Sequence, residues 1–356
     1  MRAAVMWEPG GPFDVREVDL REPGPGEVAV DIHACGLCAS DMTLTTVFGI
    51  PTPVVLGHEG AGIVSAVGAG VSSPAVGDHV LIAWITPCGA CAPCRRAQSH
   101  LCSRRRTSRE GEGAGPSSPL SIDGTEVQQG MATATFAHRT VVPAIAAVAL
   151  DPSVPFVVAA MMGCAVPTGV GAAIRSARVQ PGDHVAVIGA GAIGMSAVLG
   201  ARVGGATRIV SVDPSATRRE RAVAIGSDEA VDPEELASMS PFDVVIDAVG
   251  RAETTTAAWR ATRRGGSITV VGAGRPGQKI EIDAYELFHD EKRLVGCFAG
   301  GMTLARDLPV LVDLWSSGRL PIESLIDGTA DLGRINEVAA AQGAGEVLRT
   351  ILLPRG

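Results

Sequence analysis

Apolar and polar positions alternate along this chain in two rhythms, and the change between them falls near Pro181. Before it, short alternating runs such as Glu27-Val-Ala-Val-Asp-Ile-His33 and Ala61-Gly-Ile-Val-Ser-Ala-Val67 are cut by proline and glycine, which predicts half-buried strands in a β-rich region. After it, more continuous apolar runs at Asp183–Ile188, Arg208–Val212, Asp243–Asp247 and Ser267–Val271 are separated by glycine turns and helix-like stretches. Strands buried on both faces read this way, so this half predicts an α/β unit with a parallel, doubly wound sheet. Beyond about Cys297 helical patterning returns, and the chain is expected to end in a strand over Glu346–Leu352. The polar, Gly/Ser/Pro-rich segment Ser103–Gly130 predicts a long surface loop. Its arginines (Arg104, Arg105, Arg106 and Arg109) fit a solvated rim better than a binding patch.

Length and composition narrow the function classes. A chain of 356 residues suggests two domains, and 46% apolar residues with 44 glycines suit a compact α/β protein. The net charge of −8 gives no global attraction to nucleic acid or anionic membrane. Aromatic residues make up only 3%, with one tyrosine, which argues against stacking platforms for single-stranded nucleic acid. No apolar run reaches the length of about 18 residues that a membrane span needs. Met1–Gly11 lacks the basic start and apolar core of a signal peptide, so the eight cysteines read as reduced thiols and metal ligands in a cytoplasm.

Four of those cysteines, Cys88, Cys91, Cys94 and Cys102, have short spacings that let one loop wrap an ion. Four thiolates are what a closed tetrahedral zinc site requires; CxxC steps also fit redox chemistry, but four clustered thiols favour metal. Such a site is structural. Cys38, His58 and Cys164 remain as candidates for a second zinc with three protein ligands and an open position, although spacing alone does not show that they converge.

The nucleotide signal is sharper. The buried run Val185-Ala-Val-Ile188 leads into Gly189-Ala-Gly191-Ala-Ile193-Gly194 and an alanine-rich helix, and Asp213 closes the next strand. Gly189 permits the turn, Gly191 lets backbone approach a pyrophosphate, and Gly194 lets helix pack on strand. The helix N-terminus then offers free N–H groups to phosphates. A carboxylate at Asp213 accepts ribose hydroxyls and repels a 2′-phosphate, so NAD is expected over NADP; Arg218, Arg219 and Arg221 nearby weaken that preference.

Several motifs together resemble the zinc-dependent medium-chain alcohol dehydrogenases, over nearly the whole chain. They are Cys35-Gly-Leu-Cys38-Ala-Ser40-Asp41, Gly57-His58-Glu59-Gly-Ala-Gly62 with Gly68 and Val71, Gly77-Asp78-His-Val80, the four-cysteine lobe, Cys164 near Thr168-Gly169, and the glycine-rich unit in the same order. The resemblance implies a β-rich GroES-like catalytic domain over 1–165 carrying the zinc lobe at about 86–104. A Rossmann NAD-binding domain would follow over 166–298, with a return to the catalytic domain over 299–356. The long Ser103–Gly130 segment is similar to the dimeric branch, which includes enzymes acting on thiol–formaldehyde adducts, so a homodimer is expected.

Position by position, the resemblance implies that Cys38, His58 and Cys164 bind the reacting zinc, with Glu59 behind it and able to exchange into the shell. Asp41 would orient His58, and Ser40 would take the proton of the bound alcohol. Thr43 stands where a histidine often ends the proton relay, and Ala39 where an arginine often meets the cofactor phosphate. Thr168 and Ile193 would press the nicotinamide toward substrate, Arg218 would lie with the cofactor residues, and Arg349 would pair with the pyrophosphate. Trp84, Met131, Ala273 and Phe48 would line a mostly apolar pocket. Cys35 and Cys297 read as small core residues. The implied activity is hydride transfer between NAD and a primary or aryl alcohol, or a thiol–formaldehyde adduct. A biosynthetic dehydrogenase, or an isomerase or lyase using NAD transiently, fits the same residues.

Overall fold

The computed structural model describes residues 1–104 and 118–356, so Arg105, Arg106 and Arg109 of the expected rim lie outside the described residues. The chain divides into two compact units, one of Met1–Cys164, Thr303–Leu308 and Ile326–Gly356, the other of Ala165–Met302 and Pro309–Leu325. The C-terminal segment is therefore interleaved: residues 299–302 and Pro309–Leu325 cluster with the second unit, where the family resemblance implied a return to the first over 299–356.

The first unit is built on two sheets. Its central strand, Glu27–Gly36, pairs antiparallel with Glu59–Val67 on one side and with the terminal strand Thr350–Leu353 on the other. The register sets Glu59 opposite Gly36 and Leu352 opposite Cys35, so residues distant in the chain lie side by side. Val28, Val30, Ile32, Val64 and Leu352 of these strands are buried in the core, together with Phe13 and Phe136, whose rings meet edge to face at 5.7 Å.

Two elements differ from their expectation. The final strand begins at Thr350 rather than Glu346, because the N–H groups of Leu348 and Arg349 donate to Asp327 Oδ2 (2.6 and 2.8 Å) instead of to a ladder. The expected loop contains a hairpin, Leu120–Ile122 against Thr125–Gln129. Asp123 and Gly124 turn it with φ of 49° and 76°, a two-residue left-handed turn that suits the twist of the flanking strands.

In the second unit six parallel strands lie in the order Glu229–Val231, Arg208–Val212, His184–Ile188, Phe242–Asp247, Thr262–Val270 and Arg293–Gly296. In chain order this is 3-2-1-4-5-6, the dinucleotide-binding arrangement. Its core includes Ile188, Val210, Val212, Phe242, Val245, Trp259 and Ile268. Among the described residues no helix is long and apolar enough to cross a membrane.

Candidate metal centres and nucleotide site

Cys38 caps the N-terminus of the helix Ala39–Thr46, and Asp41 in its first turn accepts the Cys38 N–H at 3.0 Å, which fixes where the thiol leaves the backbone. His58 precedes and Glu59 opens the strand Glu59–Val67 after Gly57, whose φ of +94° is one that side chains rarely adopt. A Cβ on Gly57 would also lie 2.7 Å from the Phe136 ring, and one on Gly36 would lie 2.1 Å from Glu59 Oε2. Gly163 also comes near: its Cβ would stand 3.0 Å from Glu59 Cα, a close approach that carries the neighbouring Cys164 to the same place.

The result is a cluster in which one ligand atom each from Cys38, His58, Glu59 and Cys164 lies within 4.8 Å of the others. Ligands at about 2.3 Å from a tetrahedral zinc stand about 3.7 Å apart, so this set needs little adjustment to close on an ion. Its chemistry fits as well: two thiols, an imidazole and a carboxylate are zinc donors, and hydrogen bonding from Cys164 pushes the Cys38 thiol well below its ordinary value.

Surrounding groups fix the donors. Asp41, fully buried, accepts from His58 Nδ1 at 2.9 Å and from the Gly57 N–H at 3.2 Å, leaving Nε2 to face Cys38. Burial opposes charge on His58, yet the Asp41 carboxylate holds the imidazole well above its ordinary value. Ser40 Oγ donates to Cys38 Sγ at 3.1 Å and lies 3.2 Å from His58 Nε2. Thr43 Oγ1 donates to the Ser40 backbone carbonyl at 3.1 Å, an ordinary hydroxyl-to-helix bond.

Arg349 is the residue whose surroundings the sequence did not foresee. It is 1% exposed, and its Nη2 lies 3.2 Å from Glu59 Oε1 while Nη1 donates to the Leu37 carbonyl. The structure therefore places the guanidinium directly behind the cluster. Burial pushes the Glu59 carboxyl up to about 7 despite this cation.

Of the pocket candidates, Trp84 stands edge-on to the His58 ring at 6.3 Å. Phe48 is 36% exposed just past the helix Ala39–Thr46, Met131 takes a left-handed φ of 51° in a short turn, and Ala273 belongs to the second unit.

Cys88, Cys91, Cys94 and Cys102 form a second cluster of the same tightness. Cys91 Sγ lies 3.4 Å from Cys94 Sγ and 3.8 Å from Cys102 Sγ, too far for a disulfide and near the edge of a zinc tetrahedron. Backbone N–H groups of Cys91 and Arg104 donate to Cys88 and Cys102 sulfurs, and the N–H of Cys94 helps push the Cys91 thiol down to about 5. Four cysteine sulfurs are the donor set of a closed tetrahedral zinc site.

In the second unit the glycine turn is shaped by contact. A Cβ on Gly194 would fall 1.7 Å from the Gly189 carbonyl oxygen, whereas one on Gly191 would meet nothing within 4 Å. Gly191 therefore borders open space at the N-terminus of the helix Ala192–Gly204, which fits a pyrophosphate. Asp213 closes its strand with Oδ2 accepting the Ala190 N–H and Oδ1 the Ser215 N–H, both at 2.9 Å. Arg218 stands 3.9 Å from Asp213 Oδ2, while Arg219 is tied to the carbonyls of Asp213 and Pro214 and to Asp232. Gly169, next to Thr168, packs against the helix Ala192–Gly204 so closely that its Cβ would lie 2.3 Å from the Ile193 carbonyl.

A glycine-rich Rossmann sheet together with a GroES-like unit carrying two clusters of zinc donors defines a zinc-binding, nucleotide-dependent dehydrogenase architecture. The sequence model of the alcohol dehydrogenase GroES-like domain matches residues 24–152, and that of the zinc-binding dehydrogenase matches residues 192–317. Alcohol dehydrogenase 6 of Peromyscus maniculatus is 31% identical over 366 residues, covering 99% of this chain and 97% of the relative. Among solved structures, an alcohol dehydrogenase zinc-binding domain protein from Burkholderia ambifaria matches with a TM-score of 0.93 at 31% identity, covering 99% of both chains. Benzyl alcohol dehydrogenase from Acinetobacter calcoaceticus matches with a TM-score of 0.90 at 29% identity, covering 99% of this chain and 98% of the other. The chain belongs to the zinc-dependent medium-chain alcohol dehydrogenase family.

Proposed function

We propose that this protein is an NAD-dependent zinc alcohol dehydrogenase that interconverts a primary or aryl alcohol, or a thiol–formaldehyde adduct, with its carbonyl product. The observation that carries the reading is the convergence of Cys38, His58, Cys164 and Glu59 within 4.8 Å, with the Ser40 hydroxyl against it. Cys38, His58 and Cys164 would hold the ion, and Glu59, tethered by Arg349, would stand ready to exchange. Bound zinc supplies Lewis acidity toward an alcohol or carbonyl oxygen, and bound NAD takes or returns the hydride.

The chain's own residues supply position and protons. Asp41 holds the His58 tautomer whose Nε2 faces the cluster. Ser40 Oγ receives the alcohol proton and returns it in the reverse direction. Thr43 donates its hydroxyl proton to the Ser40 backbone carbonyl, so onward transfer from Ser40 runs through water or another residue. The Trp84 ring gives the substrate an apolar wall, which favours aryl over polyol substrates, since buried extra hydroxyls would lack partners. Likeness to a benzyl alcohol dehydrogenase supports the same preference. Asp213, with spare lone pairs on both oxygens, supports NAD over NADP. A homodimer is supported by the uncovered edge strand Arg293–Gly296 and exposed Tyr285, Phe288 and Leu294 near it in the chain.

A panel of primary and aryl alcohols, with and without low-molecular-weight thiols, tests the proposal through NADH absorbance, with NADP run in parallel. The expected result is NADH formation with an aryl alcohol, stopped by removal of zinc. Tight, non-exchanging NAD with no net NADH from any alcohol would replace this reading by an isomerase or lyase that uses the cofactor transiently.

A further inference from the structure

Away from the cysteine and histidine clusters, the first unit holds a polar cavity of about 430 Å3, within the size range of small-molecule sites. Its wall includes Arg21, Arg139, Arg355, His138 and the Met1 end of the chain, with Asp19 and Glu22 also present. The cations are held in fixed positions. Asp31 binds two of them at once: Arg139 Nε meets Oδ1, and Arg355 Nη1 meets Oδ2 at 2.8 Å. Arg21 is held by both oxygens of Glu27 at 2.6 and 3.1 Å.

Asp31 with its two guanidiniums carries one net positive charge, while Glu27 balances Arg21 and Glu17 balances the Met1 ammonium. These bonds use Nε of Arg139 and Nη1 of Arg355, so each guanidinium keeps further N–H donors beyond Asp31. Both side chains are about two-fifths exposed, at 41% and 43%, where an incoming ligand can reach them. The local field agrees: burial first, then the charges of Arg2 and Arg355, keep His138 below its ordinary value, although Glu17 acts the other way. A fork of two preordered guanidiniums is the geometry that recognises a planar carboxylate or a phosphate. Asp19 and Glu22 on the same wall oppose a bound anion, so a doubly charged phosphate gains less there than a carboxylate.

We propose that this cavity is a binding site for a small metabolite carrying a single oxyanion group, a carboxylate or a phosphate monoester, held between Arg139 and Arg355. The site is built from the strand Glu27–Gly36, its neighbour Arg139–Pro143 and the C-terminal residues, and none of its residues belongs to the zinc or nucleotide clusters. The inference therefore stands whether or not the proposed substrate class is right.

Isothermal titration calorimetry on the zinc-loaded protein saturated with NAD tests it, since the cofactor then occupies the glycine turn that could otherwise take phosphate. Inorganic phosphate and acetate are the two probes, each at an ionic strength matched with chloride. One saturable site per chain is expected for one or both, and which of them binds more tightly separates a phosphate from a carboxylate ligand. Arg355→Gln, near the exposed chain end, should weaken binding about tenfold or more, and Arg139→Gln should do the same as an independent variant. Heats equal to those of chloride for both probes, or saturable binding unchanged in both folded variants, would overturn the proposal.

Discussion

Two glycines three positions apart in the nucleotide turn should respond in opposite ways to the same added methyl group. At Gly194 a Cβ would lie 1.7 Å from the Gly189 carbonyl oxygen, a backbone atom that cannot swing aside. Relieving that overlap means separating helix from strand, at the upper end of the overpacking range, about 3 kcal/mol. For a unit of this size the loss corresponds to a fall in melting temperature of about 6–12 °C. At Gly191 the new Cβ meets nothing within 4 Å, and the backbone has φ −83°, which alanine adopts freely. Poorer helix capping by alanine is offset by lower unfolded-chain entropy, so stability should change by no more than about 0.5 kcal/mol.

Binding should separate the pair in the other direction. The Gly191 methyl occupies the space proposed for the pyrophosphate, so Gly191→Ala should weaken NAD about tenfold or more, equal to about 1.4 kcal/mol. Thermal denaturation of both variants, with NAD titrated into each at a temperature where both are folded, reads the two effects separately. Equal destabilisation of the two variants, or normal NAD affinity in Gly191→Ala, would refute the reasoning.

The remaining predictions concern the first unit. Asp41→Asn should lower zinc affinity at the Cys38 cluster about 10–100-fold, because the charged partner of His58 Nδ1 is lost; competition with a chelator measures it, and an unchanged affinity would remove Asp41 from that role. Arg349→Met leaves Glu59 buried without its cation and should cost about 3–5 kcal/mol in unfolding experiments, while adding Glu59→Gln should restore part of the loss. No recovery in the double variant would show that packing, not charge, is what Arg349 contributes. Burial raises the Asp31 carboxyl, but the Arg139 bond and the charges of Arg139 and Arg355 outweigh it and hold it below its ordinary value. A depressed folded value means the stabilisation is present above the unfolded pKa of about 3.9 and is lost as pH falls through the lower folded value. With partners this exposed the contribution is about 1 kcal/mol at most, so wild type should exceed Asp31→Asn by that amount at neutral pH and converge with it in acid. A difference independent of pH would count against the ion pairs.

Much of the architecture was readable because its causes are local. Buried runs such as Val185–Ile188 and the glycines that follow specify strand, turn and helix within a few residues, and right-handed crossovers then leave only a few strand orders. What escaped the sequence depends on pairing across hundreds of positions. Arg349 reaches Glu59 only because Leu352 registers with Cys35, and no local pattern encodes that register. Nothing local to Arg139 or Arg355 marks them before the fold brings both to one carboxylate. The Asp123-Gly124 turn was a different omission: the dipeptide is a hairpin signal, but the polar residues preceding it suggested loop throughout.

Zinc content per chain, measured alongside turnover for wild type and Cys38→Ala, tests the proposed reacting metal most directly. The account predicts two zincs in wild type and one in the variant, with NAD still bound but alcohol-dependent NADH formation gone. A Cys38→Ala protein that keeps both zincs and turns over at the wild-type rate would contradict it.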